Sequence, residues 1–157
     1  MEAYRRRSAP VIDRPVLLHR DLHPTNVLWR DGVLAGVVDW VNACVGHPHA
    51  ELGNGRWNLA VLAGTEAAEA YLEAYLERSG GSDYDPFWDL EATLCRADLV
   101  GASHWVPIGR ADIGAGDVLR ASERLLDRAL AGRPALATRR ARPRGRDRRG
   151  RQRRRCP

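Results

Sequence analysis

The sequence predicts an α+β protein that is mainly helical. Three observations carry this: short strand-like apolar runs confined to the first forty residues, an Asp31-Gly32 turn signal between two of them, and apolar residues at helical spacing from about 49 to 131. At 157 residues and 44% apolar content, the chain can build one compact core and is too short for two well-developed ones.

The first strand is expected at Pro15-Val16-Leu17-Leu18, entered from a proline, whose missing N–H is tolerated at a strand's first position. A second apolar run, Asn26-Val27-Leu28-Trp29, leads through Arg30 to Asp31-Gly32, and Val33 to Val38 follows. Asp-Gly supplies the positive φ angles that a tight hairpin requires. The order is therefore strand, polar loop, hairpin.

After Asp39 a loop from Val41 to Pro48 precedes a helix over roughly 49 to 62. Thr65 is the expected N-cap of a helix over 66 to 77, in which Leu72, Tyr75 and Leu76 share one face and Gly80-Gly81 lies past the stop. Asp85-Pro86 offers an N-cap followed by proline, opening a segment through Leu90, Leu94 and Leu99 towards Trp105. A last helix is expected from Asp117 to Ala131, before Gly132-Arg133-Pro134. Trp29, Trp57, Trp88 and Trp105 fall within apolar patterns and are expected in the core, while Glu66, Glu69, Glu73 and Glu77 read as a solvated helix face.

The net charge of +5 is unevenly placed. Residues 139–157 hold eleven arginines and one acid, whereas residues 1–138 hold fourteen arginines against nineteen acids, a net −5. The tail has almost nothing apolar with which to offset ordering entropy, so disorder is expected after about 138. No aromatic residue interleaves its arginines, so it lacks the stacking element of single-strand binders; nucleic acid is expected only as a nonspecific partner of the tail.

Cys44, Cys95 and Cys156 are widely separated and form no C-x-x-C pair, which argues against a disulfide framework or zinc knuckle. The five histidines show no H-E-x-x-H pattern, so a histidine metal centre is not expected. No apolar run is long enough to span a membrane and the N-terminus lacks a secretory apolar stretch, which makes the cytoplasm the expected location.

The chemistry concentrates in Val16 to Trp40, VLLHRDLHPTNVLWRDGVLAGVVDW. Transfer of a phosphoryl group needs a carboxylate to orient an incoming hydroxyl and oxygen ligands for the magnesium that neutralises the phosphates. Asp21, Asn26 and Asp39 can supply that set, and reversal of the chain at Asp31-Gly32 returns Asp39 towards Asn26. Asn26 and Asp39 are hard oxygen donors, suited to magnesium rather than zinc or copper.

HRDLHPTN followed by VVDW resembles the H-x-D-x-x-x-x-N and I-D-W segments of aminoglycoside phosphotransferases and choline-kinase-like small-molecule kinases, and is similar to the corresponding segments of protein kinases. The resemblance spans about Leu17 to Ala60. It implies a protein-kinase-like C-lobe over residues 1–138 whose hairpin carries the catalytic and metal-binding loops. It further implies that Asp21 is the catalytic base with His19 bracing its loop, that Asn26 and Asp39 hold Mg2+ on the phosphates of ATP, and that the phosphate acceptor is a small-molecule hydroxyl. Where the family has G-D-P-x-x-D-L-A, this chain has His47 and Glu51 at the two aspartate positions, which leaves their roles open.

The family's N-lobe, with its phosphate-covering loop and lysine, is expected to be absent: eighteen residues precede His19 and the chain contains no lysine. The expectation is an incomplete phosphotransferase; the alternatives are a catalytically silent kinase-like binding module and, behind that, an arginine-tailed protein associated with nucleic acid.

Overall fold

The computed structural model describes residues 10, 14–81, 83–96 and 105–131. The segment expected to be disordered after 138 lies outside them, as does Leu99. Within them the chain forms four short strands followed by four helices, mixed α and β with helix predominating.

Strand β1 spans Val16–Leu18, β2 Val27–Arg30 and β3 Val33–Val37. β2 and β3 form the expected hairpin, pairing Val27 with Val37 and Arg30 with Val33, with a bulge between Leu28 and Trp29. Asp31 and Gly32 both take positive φ, 51° and 76°, as a two-residue turn matched to strand twist demands.

A fourth strand, β4 at Cys44–Gly46, lies where a loop is expected. It pairs antiparallel with β1, Leu18 opposite Cys44 and Val16 opposite Gly46. Three residues carry no readable alternation, and this strand exists only because β1 gives it a partner.

Helix α1 (Pro48–Ala63) is the central post: α2 (Thr65–Ser79), α3 (Phe87–Cys95) and α4 (Ala115–Leu130) all pack on it, as does β1. It is buried on every side rather than along a stripe, and Asn54, Arg56 and Asn58 are buried with its apolar residues. Gly53 permits close contact with α3, because a Cβ there would sit 2.3 Å from the carbonyl oxygen of Trp88.

Several expectations shift in detail. Thr65 is the first helical residue of α2 and Gly64 holds the cap position, with no side chain capping that end. Gly80 ends α2 in the left-handed conformation, as expected. Asp85 Oδ1 accepts the N–H of Phe87 at 2.8 Å, but Pro86 rather than Asp85 holds the cap position of α3; the helix ends at Cys95, and residues 97–104 of the segment expected towards Trp105 lie outside the described residues. α4 starts two residues before Asp117, whose carboxylate accepts the Gly114 N–H at 2.9 Å across the helix start.

The core joins Trp57, Ala60, Val61, Ala68, Ala92, Trp105, Ile113, Val118, Ala121 and Leu125, drawn from all four helices and the turn before α4. A second cluster of Leu18, Ala50, Phe87 and Trp88 seats β1 against α1 and α3. Trp57, Trp88 and Trp105 are thus core residues, but Trp29 is 65% exposed. The hairpin pairs with itself instead of laying a face on the helices, so alternation there does not imply burial.

Glu69 also departs from the expected solvated face. It accepts from Arg56 at 3.2 Å and from Arg128 at 2.6 Å, whereas Glu66, Glu73 and Glu77 are exposed. Arg56, 3% exposed, also grips Asp89 through Nε and Nη2 at 2.8 and 3.2 Å, and Tyr84 donates to the same carboxylate at 2.8 Å. Burial lowers the Arg56 guanidinium's proton affinity, but Asp89 outweighs it, so this cation is held charged. One network therefore ties α1, α2, α3 and α4 together.

Among the described residues no helix is long and apolar enough to cross a membrane. Cys44 and Cys95 are free thiols.

Candidate functional site

β1 ends at Leu18, and after His19 the chain turns sharply because Arg20 takes φ 65°, a conformation that residues with a Cβ adopt only when surroundings over-determine it. The surroundings are α1. Glu51 Oε2 accepts the Arg20 N–H at 2.8 Å, and Asn54 donates to the Arg20 carbonyl at 2.7 Å. One turn further along α1, Asn58 reaches the Leu22 carbonyl at 3.4 Å. Positions 51, 54 and 58 fall on one stripe of a helix, so a single face of α1 supports three backbone groups of the loop.

His19 is 4% exposed and both its ring nitrogens are committed. Nδ1 accepts the Asp21 N–H at 3.2 Å, and Nε2 lies 2.7 Å from the Val38 carbonyl, which can only accept. The ring is therefore the neutral Nε2–H tautomer, a strut rather than a proton carrier, and it packs against Trp40 at 4.6 Å.

Asn26 closes the loop. Its Nδ2 donates to the Asp21 carbonyl at 2.9 Å and lies 3.2 Å from His23 Nε2, which leaves Oδ1 as the uncommitted oxygen. Its backbone carbonyl accepts the Val38 N–H at 3.0 Å. Val38 is thus bonded to Asn26 through its N–H and to His19 through its carbonyl, and Asp39 follows immediately.

Asp39 takes φ 64°, the third such non-glycine residue; two of the three therefore sit at this site. Its side chain is exposed, and no hydrogen bond or ion pair engages it among the described residues. The backbone thus brings His19, Asp21, Asn26 and the approach to Asp39 together. Direct contacts join His19, Asp21 and Asn26, whereas Asp39 is linked to them only through Val38.

Polar groups approach Asp21 from two directions. His23 Nε2 lies 3.8 Å from Asp21 Oδ2, and Arg96 Nη2 lies 3.8 Å from Oδ1. Burial lowers the Arg96 guanidinium from its ordinary value while Asp21 opposes that shift. Arg20 extends the other way to Glu91 at 3.1 Å. Arg96 and Asn58 were not signalled by the sequence, because neither belongs to a motif of fixed spacing.

The two positions left open are occupied by working residues. His47 Nδ1 accepts the His49 N–H at 3.1 Å and caps α1, as a short carboxylate would, and its ring stacks on Trp88 at 5.0 Å. Glu51 is the residue that holds Arg20.

Among the described residues no group of three His, Cys, Asp or Glu side chains converges to hold an ion. Asn26 Oδ1 and the Asp39 carboxylate are nevertheless free hard donors, which fits a cation completing its shell with phosphate oxygens and water. Beside the loop a largely apolar cavity of about 230 Å³ is lined by Leu22, His23, Pro24, Val27, Trp29, Gly55, Leu59 and Tyr71; Asp21, Asn26 and Asp39 do not line it, but His23, which contacts Asp21 and Asn26, does.

A buttressed polar loop between two short strands, with a hairpin returning an aspartate towards it, is set in a mainly helical α+β protein. A model of the phosphotransferase enzyme family matches residues 2–88, more than half of the chain, and the chain belongs to that family. No curated protein and no solved structure matches it.

Proposed function

We propose that the chain carries the acceptor-activating and metal-holding side of an ATP-dependent phosphotransferase, with a protein-kinase-like C-lobe, acting in the cytoplasm on a small-molecule hydroxyl. The observation that supports this best is the bonding of Val38 to both His19 and Asn26, which ties the approach to Asp39 to the Asp21 loop.

On this reading the acceptor oxygen attacks the terminal phosphorus as the bond to the bridging oxygen breaks, ADP departs, and the hydroxyl proton passes to the Asp21 carboxylate. Asn26 and Asp39 would hold Mg2+, which supplies charge neutralisation for the phosphates when bound. His19 keeps the loop in register, and Glu51 with Asn54 holds the left-handed turn that presents Asp21.

The chain has no lysine to meet the nucleotide phosphates. Because positioning and electrostatics supply nearly all of the catalysis in this chemistry, this chain by itself is expected to turn over slowly and to bind magnesium–ATP weakly. The test is calorimetry with magnesium–ATP joined to a coupled ADP-release assay across hydroxyl-bearing acceptors. Metal-dependent nucleotide binding lost in Asn26→Ala and Asp39→Ala supports the reading; binding unchanged in both refutes it.

A further inference from the structure

Arg96 lies beyond the segment matched by the family model, at the C-terminal end of α3, yet its guanidinium returns to the Asp21 loop. Nη2 donates to the Arg20 carbonyl at 3.2 Å and stands 3.8 Å from Asp21 Oδ1. Its Cζ sits 5.4 Å from the centre of the Trp57 ring, and the side chain is 13% exposed.

Three groups hold the Arg20 peptide in its left-handed turn: Glu51 at the N–H, and Asn54 and Arg96 at the carbonyl. Glu51 and Asn54 both come from α1, so alone they fix the loop to one helix. Arg96 adds α3, and of the three it alone also reaches the Asp21 carboxylate. Trp57 lies beneath the guanidinium and restricts its path, leaving the planar fork aimed at the loop. Glu91, five residues earlier on α3, pairs with the Arg20 side chain at 3.1 Å, so α3 grips Arg20 by both its backbone and its head group.

We propose that Arg96 is a positioning residue for Asp21, locking the Arg20–Asp21 turn onto α3 and balancing the carboxylate's charge. The proposal deepens the phosphotransferase reading in assigning a purpose to that turn, but its geometry is independent of any activity. A helix-terminal arginine serving stability alone would spread its effect over the whole fold; a positioning arginine acts on the turn.

The experiment is amide hydrogen exchange by NMR on the full chain, comparing wild type with Arg96→Gln and Arg96→Lys. In Arg96→Gln the Arg20 and Asp21 amides are expected to exchange about tenfold faster than any change at the core amides of Val61 and Leu125, since one charge-assisted hydrogen bond is lost locally. Arg96→Lys keeps the charge without the fork and is expected to show a smaller acceleration of about threefold at the same two amides. If Arg96→Gln does not fold, the lysine variant still decides the matter. Loop amides unchanged in both variants, or accelerated only in step with the core, would overturn the proposal. Metal–nucleotide binding, measured on the same samples, separates the two claims: its absence from wild type with the loop effect present counts against the phosphotransferase reading and not against Arg96.

Discussion

His19 Nε2 lies 2.7 Å from the carbonyl oxygen of Val38, so the residue that follows β1 and enters the Asp21 loop is hydrogen-bonded to the residue that follows β3 and precedes Asp39. With Nδ1 bonded to the Asp21 N–H, one buried ring spans the two halves of the candidate site.

Replacing that ring leaves two partly buried backbone groups, the Asp21 N–H and the Val38 carbonyl, without that partner. His19→Ala is therefore expected to destabilise the fold by about 1–3 kcal/mol, read from urea unfolding, and to weaken metal-dependent nucleotide binding although His19 touches neither ligand. Unchanged stability would mean that water replaces both bonds.

The Arg56 network makes a separate stability prediction. Arg56→Ala would leave the buried Asp89 carboxylate with only the Tyr84 hydroxyl and Glu69 with only Arg128, at an expected cost of about 3–5 kcal/mol in urea unfolding. Arg56→Met combined with Asp89→Leu is expected to cost less than the sum of the single changes, because the stranded charge is removed with its partner.

Burial, reinforced by the neighbouring His47, holds the His49 imidazole below its ordinary value of 6.5, with Asp85 opposing. The unfolded chain therefore binds the proton more readily. This contribution to stability is complete above about pH 6.5 and is lost as the pH falls from there through the folded value. Between pH 7.5 and 5.5 the thermal midpoint of wild type is expected to drop further than that of His49→Gln, by roughly 2–4 °C for each kcal/mol involved. Parallel curves would contradict this.

The two aspartates should separate by function. Asp39→Ala is expected to weaken magnesium–nucleotide binding by at least about tenfold, while Asp21→Ala leaves it within about twofold and lowers any turnover through kcat. Calorimetry against the coupled assay checks both, and equal loss of binding in the two variants would mean that Asp21 is also a ligand.

Much of this site was legible because its parts are local. The Asp31-Gly32 turn and the spacing from His19 to Asn26 are fixed by a few neighbouring residues, and the apolar period of α4 is strong, whereas α1 is buried all round and has no single apolar stripe. What was not legible depends on partners distant in sequence. β4 is defined by β1, Trp29 is exposed because the hairpin does not lie on the helices, and Glu69 is drawn from solvent by Arg56 and Arg128. Arg96 reaches a residue 76 positions earlier, a relation no spacing rule could supply.

The most direct test of the proposed metal site is NMR of the full chain with Mn2+ substituted for Mg2+ in the presence of ADP. Paramagnetic broadening is predicted to centre on the Asn26 side-chain amide and on Asp39, to require nucleotide for full strength, and to disappear in Asn26→Ala and Asp39→Ala while both variants remain folded. Broadening centred elsewhere, or unaffected by either substitution, would contradict the account.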